Sequence, residues 1–215
     1  MSSIGRDEEA APRREDVAVA GSAMSGGPSF AETIRLIRGD FAFRRSLEPE
    51  RPGPLRSLRL FMSRASACGV RYRLQCFCYA SRLAPLGRIL KYANLILYGV
   101  DIDQRAQIGA GFLIGHPGPM TITADAVIGE RCIVYHQTMI GRSPFFEPDR
   151  KPGPIVVGND VTFGPGSCAY GAIVIGDGCR ISANAVVDRS FPPGSTLTGV
   201  PARAASKPGE RKESG

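Results

Sequence analysis

Residues 155–187 read IVVGNDVTFGPGSCAYGAIVIGDGCRISANAVV and carry an apolar side chain at every sixth position. Those positions are Val157, Phe163, Ala169, Ile175, Ile181 and Val187, usually followed by Gly or another small or polar residue. Six is not a multiple of the helical 3.6, so a packed amphipathic helix cannot hold this pattern. A short strand plus a turn can, with one apolar side chain pointing inward per turn. Three such faces close a triangular coil, and stacked coils bury a continuous apolar column. Neighbouring coils would lie ~4.8 Å apart, the spacing of paired strands.

The same step extends upstream through Ile122, Ile128, Val134 and Ile140, and before them Ile102, Ile108 and Ile114. Two residues are inserted between the first two runs, and a loop intrudes between Ile140 and Val157. With that loop removed, residues 102–190 amount to about four coils of eighteen residues. The short strands of an ordinary sandwich would not stay in six-residue phase for so long. The expected fold is therefore mostly β, a parallel β-helix.

Ahead of it the pattern changes. Residues 30–45 repeat apolar side chains at helical spacing (Ile34, Ile37 and Phe41), and Pro49, Pro52 and Pro54 interrupt them. Further helices are expected at about 55–83 and 86–97, separated by Pro85-Leu86-Gly87 and closed by Gly99. Arg56, Arg59, Arg64, Arg71 and Arg73 are read as a solvated face, with Leu58, Leu60, Phe61, Leu74, Phe77 and Tyr79 packing the other side. The expected organisation is a disordered lead-in at 1–28, a small α-helical module at 29–99, a β-helix domain at 100–205 with an inserted loop at 142–154, and a disordered tail at 206–215.

Composition narrows the function. The 215 residues are 43% hydrophobic and 22% charged, which excludes a wholly disordered chain. With 26 Gly and 17 Pro, a helical bundle is disfavoured. The net charge of +7 is concentrated in residues 30–100, where thirteen basic residues face four acidic ones. No nucleic-acid recognition motif accompanies that charge, so no nucleic-acid partner is expected. Contact with an anionic membrane surface is the minor reading. No apolar run approaches the ~18 residues that span a bilayer, and no signal-peptide pattern opens the chain, so the cytoplasm is the expected location. The six cysteines lack C-x-x-C spacing and sit among apolar neighbours, as buried thiols do.

From Tyr98 to Arg203 the chain resembles the hexapeptide-repeat acyltransferases, in the branch of the serine acetyltransferases and related saccharide O-acetyltransferases. The likeness is carried by YGVDIDQRAQIGAGFLIGHPGP (98–119), VIGERCIVYHQTMIG (127–141) and TGVPAR (198–203). It implies a left-handed coil, a homotrimer with a dimer of trimers as an option, and acetyl-CoA as donor with no metal. It also implies a catalytic pair, an Asp at the first coil and a His fifteen residues later, which Asp101 and His116 match. The chemistry needs such a pair, because an alcohol is a poor nucleophile at neutral pH and a general base must take its proton. A carboxylate on the far ring nitrogen fixes the tautomer and stabilises the imidazolium.

Both histidines of the chain follow a hexad apolar by two residues, Ile114 before His116 and Val134 before His136. They are expected to stack on adjacent coils, His136 serving either the acceptor pocket or packing. The resemblance places Gly141, Gly164 and Ala183 along the pantetheine arm of acetyl-CoA, and Arg203 against its nucleotide phosphates. In the serine enzymes an acid precedes the catalytic His and another follows it by eight; here those positions are Gly115 and Ala124. The loop keeps Arg150 and Pro152 of an Arg-His-Pro element but exchanges its His for Lys151. An unpaired ammonium is costly to bury, so these exchanges lead us to expect a saccharide or glycan-precursor hydroxyl as acceptor rather than free serine. Phe145 and Phe146 would then offer a stacking platform for a sugar ring or anchor the loop on a neighbouring subunit, and Arg150 and Lys151 would meet an acidic group. The alternatives are a serine O-acetyltransferase and a catalytically inactive trimeric interaction module. Metal-dependent hydration of carbon dioxide needs three His from neighbouring subunits, and the two here stand at other positions.

Overall fold

The computed structural model describes residues 27–48, 53, 62–142, 153–200 and 203–204. Three helices come first: α1 (Phe30–Ser46), α2 (Arg64–Ala80) and α3 (Ala84–Tyr98). Ser29 caps α1 by accepting from the Glu32 N–H, and Ser63 caps α2 by accepting from the Ser66 N–H. The second cap starts that helix at Arg64, and residues 55–61, where spacing also predicts helix, lie outside the described residues. Gly99 ends α3 in the left-handed conformation, φ 70°, and turns the chain straight into the first strand. Among the described residues no helix is long and apolar enough to cross a membrane.

Fifteen short strands follow, in three sheets. Sheet A stacks β1 (Val100–Ile102), β4 (Met120–Ile122), β7 (Met139–Gly141), β10 (Cys168–Tyr170) and β13 (Val186–Val187). Sheet B stacks β2 (Gln107–Ile108), β5 (Ala126–Ile128), β8 (Ile155–Val157) and β11 (Val174–Ile175). Sheet C stacks β3 (Leu113–Ile114), β6 (Ile133–Val134), β9 (Thr162–Phe163), β12 (Arg180–Ile181) and β14 (Thr196–Thr198), with β15 (Arg203–Ala204) antiparallel at the end. From β1 to β10 each strand pairs in parallel with the one a full coil later, so the chain winds as the expected left-handed parallel β-helix.

Register turns the six-residue repeat into three apolar columns. Ile102, Ile122, Ile140, Ala169 and Val187 align along sheet A. Ile108, Ile128, Val157, Ile175 and Phe191 align along sheet B. Ile114, Val134, Phe163, Ile181 and Leu197 align along sheet C. All fifteen are buried. At ~1.5–3 kcal/mol for each large apolar side chain removed from water, these columns are the main stabilising force of the coils.

The helices close the open end of the first coil by a different means, and here the expected solvated arginine face fails. Arg73 is buried, with Nε and Nη2 donating to the two carboxylate oxygens of Asp40 on α1, both at 3.0 Å. Its Nη1 and Nη2 also donate to the carbonyls of Ile108 and Gly109, both at 2.7 Å. The first coil has no preceding coil to pair with, so these carbonyls need donors from the helices. Asp40 further accepts from the Phe112 N–H, Tyr72 donates its hydroxyl to Ala106 O, and Gln75 donates to Ile102 O. Tyr79, expected to pack inward, is half exposed at the end of α2. Arg56, Arg59, Leu58, Leu60 and Phe61 lie outside the described residues.

Five of the six cysteines are buried, with Cys168 half-buried. Burial pushes the Cys132 thiol up to about 12 and those of Cys68 and Cys76 to about 11. Such thiols stay protonated at neutral pH and are inert as nucleophiles.

Candidate active site

The corner between sheets C and A gathers His116, His136, Gly164 and Ala183 of the expected site. In the first coil it is Gly115–Pro119, where the two inserted residues fall and where His116 is exposed. In the second coil the same corner holds Tyr135 and His136, in the third Gly164, and in the fourth Ala183. His116 and Ala183 are three coil steps apart, or about 14 Å.

Around His116 the two coils interlock. The rings of His116 and His136 have centroids 6.5 Å apart, and those of His116 and Tyr135 are 5.8 Å apart. The expected stacking of the histidines is present, with the planes tilted at 60°. Glycines on either side of His116 make room for it. A Cβ on Gly115 would stand 2.7 Å from Cε1 of Tyr135, and one on Gly118 would stand 2.9 Å from Cβ of His136. Only residues without side chains fit there unless the second coil moves. Tyr135 was not singled out by sequence reasoning. Its signal was the twenty-residue offset from Gly115, one coil plus the two-residue insertion, the same offset that joins the histidines.

Asp101 lies in the middle of β1, half-buried and in register with Thr121 of β4. Its Oδ1 is sealed from solvent, and Lys91 Nζ of α3 lies 3.0 Å from it. The approach is off the direction of a hydrogen bond, so the contact is an ion pair and the buried oxygen accepts no hydrogen bond. Among the described residues no hydrogen bond or ion pair joins Asp101 to His116. Next along the chain, burial pushes the Asp103 carboxyl up, but bonds from Arg105 and the charge of Lys91 bring it below its ordinary value.

Of the residues expected along the donor, Gly164 and Ala183 are neighbours: a Cβ on Gly164 would stand 2.7 Å from the Ala183 amide nitrogen. Gly141 is apart from them, at the end of β7 beside Thr123. The backbone of Arg203 is in β15, opposite Thr198. Phe145, Phe146, Arg150 and Lys151 lie outside the described residues.

The sequence and fold of the chain match known proteins. Residues 154–189 fit the family model described as bacterial transferase hexapeptide (six repeats). The serine acetyltransferase of Helicobacter pylori (strain J99) is 35% identical over 136 residues, which are 63% of this chain and 78% of that protein. The chain belongs to the hexapeptide-repeat acyltransferases, in the serine acetyltransferase branch. A second member of that branch, the serine acetyltransferase of Synechococcus elongatus, is 32% identical over 140 residues, 65% of this chain. The match spans 56% of that relative's length. A solved serine acetyltransferase in complex with CoA superposes with a TM-score of 0.70 at 24% identity, covering 82% of this chain and 71% of that one, and so shares its fold.

These relatives overturn the saccharide acceptor expected from Gly115 and Ala124, because they carry the name of the serine enzyme. Reading the acceptor from the acids missing at Gly115 and Ala124 and the exchange at Lys151 left the packing of Gly115 out of account. A Cβ at Gly115 would crowd the Tyr135 ring, so a residue without a side chain is what the neighbouring coil accommodates there.

Proposed function

We propose that this chain transfers the acetyl group of acetyl-CoA to the hydroxyl of serine, with His116 as general base. The observation that carries the reading is an exposed imidazole at an inserted corner of a hexapeptide coil, in a chain whose relatives are serine acetyltransferases. The His116 nitrogen accepts the serine hydroxyl proton as that oxygen attacks the thioester carbonyl. The tetrahedral intermediate collapses, the C–S bond breaks, and the imidazolium returns the proton to the CoA thiolate. O-acetylserine and CoA leave, and no covalent enzyme intermediate forms. The raised cysteine thiols fit a direct transfer.

Asp101 is the orienting carboxylate in this reading. Its Oδ2 is outside the contact between Lys91 and Oδ1 and would be the oxygen that meets the ring. Gly164 and Ala183, stacked on the same corner, would let backbone amides approach the pantetheine arm, with Gly141 and Arg203 further along the donor. His136 would line the acceptor pocket, and Arg150 and Lys151 would hold the serine carboxylate. The unit would be a homotrimer. Ile89, Tyr92, Ile96 and Leu97 of α3 are exposed apolar side chains that suit a contact between subunits.

CoA release, measured with L-serine and with a panel of sugars and nucleotide sugars, tests the reading. Serine turnover is expected, and His116→Ala is expected to reduce it about 10²–10⁴-fold with an unchanged melting temperature. Sugar turnover without serine turnover, or full activity in His116→Ala, would refute it.

A further inference from the structure

Among the described residues, the helical module meets the proposed catalytic pair through the Lys91–Asp101 ion pair. Asp101 shows 38% of its side-chain surface, yet its Oδ1 is sealed off and receives no hydrogen bond. The positive charge beside that oxygen is Lys91 Nζ, 27% exposed and held on α3 within two turns of the Gly99 corner. An oxygen of this kind is fixed by its ion pair, because leaving it without a counter-charge is costly.

We infer that Lys91 is a positioning residue: it anchors Oδ1 of Asp101, leaves Oδ2 to face the imidazole, and its charge sets the pH range in which His116 acts as a base. This rests on the assignment of His116 and Asp101 as the catalytic pair. A carboxylate near the ring favours imidazolium, and a lysine bound to that carboxylate offsets part of the effect. The other groups around the pair are few. Thr121 of β4 and the Asp103–Arg105 pair face Asp101 and Lys91, while Tyr135 and His136 of the second coil face His116. Lys91 supplies the cation in contact with Asp101 among the described residues.

The test is the pH profile of CoA release with acetyl-CoA and L-serine for the full chain, in Lys91→Gln and Lys91→Arg, each checked for folding by its melting curve. In Lys91→Gln the acid limb of kcat/KM is expected to move up by about half a pH unit, a modest size because solvent screens a partly exposed pair. Its kcat is expected to fall about three- to tenfold with both KM values within twofold, because orientation is lost and not binding. Lys91→Arg is expected to restore limb and rate to within twofold. In the Asp101→Asn background Lys91→Gln should cost less than twofold in kcat, because the lysine positions that carboxylate, while its charge still moves the limb. An acid limb that stays put or moves down in Lys91→Gln, or an undiminished loss of kcat in the Asp101→Asn background, would overturn the inference. If that happens while His116→Ala is inactive, the catalytic pair stands and only the role of Lys91 falls. Full activity in His116→Ala would remove both.

Discussion

Where α2 meets the first coil, the contacts are directional and polar. Arg73 alone joins Asp40, Ile108 O and Gly109 O. Two coils further on, Phe163 packs in an apolar column between Val134 and Ile181, and neighbouring coils are joined by their backbone ladder. The contrast separates two ways of making a core specific. A stacked coil repeats one non-directional solution, so its register is enforced by the backbone and its side chains need only be apolar and of fitting size. A helix laid on the open end of a coil has no such ladder. Its docking angle is specified by a few hydrogen bonds to carbonyls that would otherwise be unsatisfied.

The largest disruption is expected inside the columns. Phe163→Ala should cost about 3–5 kcal/mol and lower the melting temperature of helices and coils together, read by calorimetry and by amide exchange in both regions. Arg73→Met strands Asp40 and two carbonyls, at about 3 kcal/mol. Here the expected damage is local: faster amide exchange across α1 and α2, with the coils beyond β6 still protected. Equal loss of protection everywhere would show that the two regions are one cooperative unit and break the contrast.

Gly115→Ala should cost about 1–3 kcal/mol through overlap with Tyr135, and Tyr135→Ala in the same chain should relieve most of it. Additive melting-temperature losses would mean that the interlock does not exist. The smallest effect is expected on the outer face. Arg131 bonds hold the Asp160 carboxyl below its ordinary range, against a small opposing effect of burial. Its contribution is therefore present above the unfolded-state value and is lost as pH falls through the lower folded one. Asp160→Asn, which tolerates the left-handed φ of 57° there, should change neutral-pH stability by less than about 0.5 kcal/mol and flatten the stability curve below about pH 4.

Much of the fold was legible because the coil is periodic. Each of the thirteen hexad positions from Ile102 to Val187 is buried, and Gly-His-Pro-Gly marked the corner of His116 by interrupting the period. The helices were legible as elements but not as contacts. Arg73 looks like Arg64 or Arg71 in the sequence, and nothing in a row of arginines says which one will face Asp40. The acceptor was misread at Gly115 for a related reason. The residue that explains its lack of a side chain, Tyr135, is twenty positions away, and only coil-on-coil stacking brings them together.

By itself the sequence determined the left-handed parallel coil, its apolar columns, the corner that carries both histidines and the acyltransferase branch. Those depend on periodic burial and short motifs, which are properties of residue order along one chain. Only the tertiary structure decided which arginine is buried, which lysine neutralises Asp101 and which ring fills the space over Gly115. These depend on how separate elements meet, and that is set by the mutual satisfaction of buried donors, acceptors and volumes across distances the chain order does not encode.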